Sequence, residues 1–140
     1  MSLRTLTFSG TADAISRKKF PDACKHAAEA LTENVNRWLE MESPRVRPTS
    51  FDLLVSTGPG WSRSVSADTT DVTLICVLWY EYGEEDLESP AKRFQASVDD
   101  DVTIEEFMMD HREADIVCRR SVLAEPSSPR NVFKAVLLHD

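Results

Sequence analysis

Between Pro21 and Pro44 the apolar positions recur with the period of an α-helix. Pro21 suits the first turn, where its missing N–H is not needed, and Pro44 ends the pattern. The opposite face is charged or polar throughout. The segment is therefore predicted to be a long amphipathic helix that buries one stripe. That stripe consists of Cys24, Ala27, Ala28, Leu31, Val35, Trp38 and Leu39.

Residues 71–82 alternate with a period of two, but both of the resulting faces are apolar. A strand with two apolar faces is typical of the middle of a sheet that is covered on both sides. The segment is therefore predicted to be the central strand, with the long helix against one of its faces. One face carries Val72, Leu74, Cys76, Leu78, Tyr80 and Tyr82, and the other carries Thr73, Ile75, Val77 and Trp79.

Shorter runs predict the remaining elements. A short edge strand over 3–8 is expected to end at Gly10, and a helical turn could follow over 12–19. Thr103 and Glu106 form a capping box that predicts a short helix over 104–111. Glycine and proline at 57–60 predict a turn. Further strands are expected at 51–56, 61–66, 91–98, 115–123 and 131–139, with a short helix as the alternative for the last.

These elements together predict a single α+β domain over residues 1–140. Strands that cluster without alternating with helices favour antiparallel pairing, with the helices on one face. We expect a mainly antiparallel sheet of roughly five to six strands, with the long N-terminal helix and the short helix packed on it. This topology is described as a cystatin-like or ferredoxin-like wrap, a description that carries no functional inference.

Charge and cysteine content narrow the functional classes. The formal net charge is −8, which argues against nucleic acid or an anionic membrane surface as a ligand. No apolar run is long enough to span a bilayer, and the first ten residues do not resemble a secretory signal. The three cysteines are widely spaced, which favours reduced thiols and a cytoplasmic location.

No set of residues in the sequence has the spacing of a catalytic or metal site. His111 has Asp110 and Asp115 nearby, but adjacent helical residues point in different directions, so a working acid–base pair is not expected. Cys24 and His26 do not face each other on a helix. We expect no catalytic residue, no bound metal and no cofactor.

Two features favour a protein-interaction or assembly function. Aromatic residues concentrate at Trp61, Trp79, Tyr80 and Tyr82, and such residues are enriched at the centres of interfaces. Residues 81–115 contain thirteen acidic and three basic residues, which suits a basic partner. The sequence therefore predicts a non-enzymatic domain that binds a protein partner or forms a homo-oligomer.

A second hypothesis is a small-ligand-binding domain or a small enzyme. Its cleft would lie between the long helix and the sheet, where Trp38, Trp79, Tyr80 and His111 would line it. Taken together, the predicted binding residues are Trp61, Trp79, Tyr80, Tyr82 and His111.

Overall fold

The chain folds as an α+β protein with antiparallel β-sheets, as predicted. A computed structural model describes residues 2–16, 20–42, 45–59, 69–84, 93–99, 106, 109, 116–117, 122–125 and 128–138. In chain order the elements are β1 (Ser2–Ser16), α1 (Phe20–Glu42), β2 (Val46–Pro59), β3 (Thr69–Tyr82), β4 (Arg93–Asp99), β5 (Ile116–Val117), β6 (Val122–Glu125) and β7 (Ser128–Leu138).

The first sheet, called sheet A, has the strand order β1-β3-β2 and is antiparallel throughout. The prediction that residues 71–82 form a central strand is confirmed, since β3 pairs with a neighbour along both edges. Its residues Val72, Leu74, Cys76, Leu78 and Tyr80 are buried, and the positions between them are only half-buried. The buried side is called the inner face and the half-buried side the outer face.

Helix α1 confirms the predicted long helix and its apolar stripe. Six of the seven predicted stripe residues are buried, and Trp38 is half-buried against the core. The Trp38 ring packs edge-on against Phe8 of β1, with centroids 5.4 Å apart, and against Tyr80 of β3 at 4.8 Å. The helix therefore lies on the inner face of sheet A, against β1 and β3.

Gly10 does not end the first strand, which corrects the sequence prediction. β1 continues to Ser16, so the helical turn predicted over 12–19 is also wrong for residues 12–16. Gly10 is buried, and a Cβ at this position would overlap the Ala27 carbonyl oxygen and the Leu31 amide nitrogen, and lie 2.9 Å from the Leu31 Cα. The glycine is thus required by the closeness of the helix backbone, and not by a turn.

The remaining strands form a second sheet, called sheet B, which corrects the prediction of a single sheet. Its order is β4-β7-β5, and β6 also pairs with β7. The predicted strand over 115–123 is divided into β5 and β6. Ile116 pairs with Leu137 and Val122 with Phe133, so a step of six positions from β5 to β6 matches a step of four along β7.

The two sheets meet in one hydrophobic core. The ring of Phe51 on β2 packs edge-on against Phe94 on β4, with centroids 5.6 Å apart. Residues 133–137 of β7 are all buried, which means that both faces of this strand are covered. Residues 131–138 belong to a strand, so the alternative of a short C-terminal helix is excluded there.

Side chains of α1 hold the edge of sheet B. The Asn36 amide accepts a hydrogen bond from Phe94 N (2.7 Å) and donates one to Phe94 O (2.9 Å). One turn earlier, the Thr32 hydroxyl accepts a bond from Ala96 N at 3.0 Å. In this way two helix side chains pair with β4 as a neighbouring strand would. Helix α1 thereby satisfies backbone groups on the edge of β4 that is not paired with β7.

Some predicted elements fall outside the described residues. These are the strand over 61–66 and nearly all of the short helix over 104–111, of which only Glu106 and Met109 are described. The turn predicted at 57–60 is wrong at residues 57–59, because these pair with β3 between Thr70 and Val72. The hairpin that joins β2 to β3 therefore begins later than glycine and proline indicated.

Substitution of Gly10 tests the contact between helix and strand. Gly10→Ala is expected to lower the free energy of unfolding by about 3 kcal/mol, the upper part of the range for overpacking, because the added carbon meets backbone atoms. Urea unfolding measures this loss. Ser9→Ala, one position away on the exposed face, is the control and should change little. A loss for Gly10→Ala no larger than that of the control would contradict this explanation of the glycine.

The Asn36 contacts make a separate prediction. Asn36→Ala leaves the N–H and C=O of Phe94 unpaired, and a cost of about 2 kcal/mol is expected. Amide hydrogen exchange at Phe94 should also become faster. Asn34→Ala is the matched control, because Asn34 donates only one exposed bond, to Ser9 O. Equal losses for the two variants would show that the edge of β4 does not depend on Asn36.

Candidate functional site

Of the predicted binding residues, Trp79 lies partly exposed on the outer face of sheet A. The strand register arranges this face in rows that cross β1, β3 and β2 in turn. Trp79 lies in the middle row, between Thr5 and Ser50. Its neighbouring rows are Leu3–Glu81–Arg47 on one side and Thr7–Val77–Asp52 on the other. Large apolar residues at the margins of this face are exposed, with Leu3 at 66% and Leu54 at 45%.

A β-bulge shapes the surface beside Trp79. Pro48 pairs with Tyr80 and Ser50 with Trp79, so Thr49 is an extra residue in β2. The Thr49 hydroxyl donates to the Trp79 carbonyl oxygen at 3.2 Å. Bulges bend a strand and re-aim its side chains, and they are frequent next to functional sites.

A depression lies at this bulge, with a volume of about 280 Å³. We call it the Trp79 depression. The residues around it are both apolar and polar. The lining residues are Leu3, Thr49, Ser50, Phe51, Asp52 and Trp79.

The charged residues on the two sides of the Trp79 depression differ in their ion pairing. In the row on one side, Arg47 forms an ion pair with Glu81, with Nε 3.0 Å from the carboxylate oxygen. In the row on the other side, Asp52 is half-buried opposite Val77. Within the described part of the chain, no basic side chain forms an ion pair with Asp52. The depression therefore carries a negative charge that its described surroundings leave uncompensated.

The structure separates the predicted binding residues. Trp79 lies on the outer face, whereas Tyr80 and Tyr82 pack on the core side of the same strand. Tyr80 contacts Trp38, and the Arg4 guanidinium lies 4.2 Å from the centroid of the Tyr82 ring. Trp61 and His111 lie outside the described residues. The aromatic residues of β3 therefore do not form one contact surface.

Sequence reasoning missed Asp52, Thr49 and Leu3. The alternation of Phe51, Leu53 and Val55 already placed Asp52 on the other face of its strand, but did not indicate which residue would face it. That neighbour depends on the register of β2 against β3, which the bulge at Thr49 shifts. The sequence signal of the extra residue is a change of phase in the apolar alternation of β2, from Val46 and Pro48 to Phe51 and Leu53.

Described residues give no sign of a metal centre or a membrane-spanning helix. Within those ranges, no group of three or more His, Cys, Asp and Glu side chains is placed to hold a metal ion. Helix α1, like the rest of the described chain, lacks an apolar stretch of the length that a bilayer crossing requires.

The surroundings of the Cys76 thiol indicate how reactive it is. It lies on the inner face of β3, fully buried beneath α1. Burial first, and the charge of Asp52 second, raise the pKa of its thiol from 9.0 to about 12. The thiolate is the reactive form, so burial and the raised pKa together indicate that the native Cys76 thiol reacts slowly.

Alkylation tests this assignment. In a Cys24→Ala, Cys118→Ser background, native Cys76 should react with iodoacetamide at about pH 8 roughly a thousandfold more slowly than in the urea-unfolded chain. Because the folded pKa is the higher one, the protonated thiol stabilises the fold below about pH 9, and this contribution is lost as pH rises towards 12. Met41→Cys, placed where the native side chain is 76% exposed, provides the reactive control in a Cys76→Ala chain. Equal rates for buried and exposed thiols would refute the assignment.

Comparisons with known proteins add no functional assignment. No protein-family model matches the chain, and neither a curated protein nor a solved structure does so. The function must therefore be argued from the residues and their arrangement.

Proposed function

We propose that the chain is a non-enzymatic protein-interaction domain whose contact surface is the outer face of sheet A around Trp79. The observation that carries this proposal is a half-buried tryptophan beside a depression, with Leu3 and Leu54 exposed at the margins. A tryptophan that is partly accessible beside a surface depression is typical of the centre of an interface. The other aromatic residues of β3 support the fold from the inner face.

The proposed occupant is a protein segment with a basic surface. The chain has a net charge of −8, and Asp52 adds a carboxylate inside the Trp79 depression. Complementary potentials bring partners together and suppress wrong ones. A second copy of this chain fits less well, because a two-fold contact places the same face, with its uncompensated Asp52 carboxylate, on both sides of the contact.

The acid-rich segment 84–106 belongs to the same proposal through its charge. Two acidic residues of this segment, Glu84 and Glu106, are exposed. Such a segment would attract a basic partner over a distance of about 8–10 Å at moderate salt, whereas the face around Trp79 would make the contacts.

The alternative is a small-ligand-binding domain or a small enzyme with a cleft between α1 and sheet A. The described residues of that cleft give it less support. The rings of Phe8, Trp38 and Tyr80 pack against one another there, and Leu31, Val35 and Leu39 are almost completely buried. A ligand would have to displace these contacts.

Selection from a library of displayed random peptides tests the proposal even though the natural partner is unidentified. Peptides enriched on the native chain are synthesised, and their affinities are measured by calorimetry. Trp79→Ala should weaken binding at least about tenfold, the loss typical of a residue at the centre of an interface. Met41→Ala is the matched control, because Met41 is exposed on α1, away from the proposed surface, and its loss should leave the affinity unchanged.

Two results would overturn the proposal. One is that no peptide is enriched. The other is that the enriched peptides bind the Trp79→Ala chain as tightly as the native chain. Circular dichroism and urea unfolding of both variants ensure that a lost affinity is not a lost fold.

A further inference from the structure

The Trp79 depression combines the chemical groups that recognise a basic side chain. An indole face attracts a guanidinium or an ammonium, and tryptophan is the strongest of the aromatic residues in this respect. A carboxylate accepts charge-assisted hydrogen bonds, which Asp52 can offer from the same wall. Leu3, at another part of the lining, provides an apolar surface for an aliphatic stem.

The size of the depression suits one side chain and not a larger ligand. Its volume of about 280 Å³ lies just below the roughly 300–1,000 Å³ of typical small-molecule sites. The two hydroxyls at the bulge add acceptor capacity. The Thr49 hydroxyl uses its proton on the Trp79 carbonyl, so that it faces any ligand as an acceptor.

At neighbouring positions of sheet A, one arginine of the chain already contacts an aromatic ring and another already pairs with a carboxylate. The Arg4 guanidinium lies over the Tyr82 ring at 4.2 Å, and Arg47 pairs with Glu81. At the Trp79 depression an aromatic ring and a carboxylate are present together, but the rows that contain them supply no basic residue. These rows are Thr5–Trp79–Ser50 and Thr7–Val77–Asp52.

We propose that the Trp79 depression binds a single arginine or lysine side chain of the partner. The side chain lies between the Trp79 ring and the Asp52 carboxylate, with its stem against Leu3. This inference rests on the proposed function, since it names the group that the outer face of sheet A recognises.

The test uses four short peptides that are identical except at one central position, which is arginine, lysine, citrulline or glutamate. Citrulline matches arginine in shape but has no charge. Each peptide is titrated into the full chain at near-physiological salt, and the indole N–H resonance of Trp79, assigned with Trp79→Phe, is followed by NMR. The arginine and lysine peptides should shift this resonance and bind at least about tenfold more tightly than the citrulline peptide, because only they form charge-assisted bonds.

Paired variants separate a local site from general attraction to an acidic protein. Asp52→Asn should reduce the preference for arginine over citrulline to about twofold or less, because the charge that distinguishes them is removed. Glu40→Gln removes one charge from the exposed face of α1, and should keep the full preference. Each variant is also unfolded in urea to confirm that its stability is native-like.

Three outcomes would overturn this inference. If arginine and citrulline peptides shift Trp79 equally, the face binds peptides without reading charge, and the proposed function stands alone. If Glu40→Gln and Asp52→Asn weaken binding equally, the attraction is non-specific. If no peptide shifts the Trp79 resonance, the depression does not bind a basic side chain, and the peptide selection above decides separately whether the face binds anything else.

Discussion

The contact between the backbone of α1 and the backbone of β1 at Gly10 is the constraint on which the rest of the arrangement depends. A side chain at this position would overlap the helix at Ala27 and Leu31. With the helix held this close, its apolar stripe covers the inner face of sheet A. One flank of the helix then reaches β1 through Asn34, and the other reaches β4 through Thr32 and Asn36. The same placement leaves the outer face of sheet A to other contacts.

The elements with strong local patterns were predictable, and the relations between elements were not. The spacing of apolar residues reveals the stripe of α1 and the two apolar faces of β3, so the helix and the central strand could be identified from the sequence. Gly10 was misread because glycine in a strand has two explanations, a bend or a close approach of another backbone, and only the position of α1 decides between them. The division into two sheets was missed because the pattern within a strand does not identify its neighbours, and nothing in Thr32 or Asn36 indicates that they bond to β4.

The candidate site divides in the same way. Trp79 could be placed on the face opposite the helix from alternation alone, and Tyr80 and Tyr82 on the other. The neighbours that give Trp79 its chemical surroundings come from three strands. Leu3 and Asp52 are separated by about fifty residues of chain, and they come together only through the register of β1 and β2 against β3. A single extra residue, Thr49, shifts that register, and its only trace within β2 is a change of phase in the apolar alternation after Pro48.

The bonds from Thr32 and Asn36 to β4 have a consequence for how the protein survives partial unfolding. An unpaired strand edge is a template on which other chains can add, and such addition leads to aggregates. In this chain the helix occupies that edge, and it bonds to β1 through its opposite flank as well. Local unfolding of α1 would therefore expose unpaired backbone groups of β1 and β4 at the same time, together with the apolar surface beneath the helix. How often these backbone groups become exposed is therefore set by how rarely α1 opens.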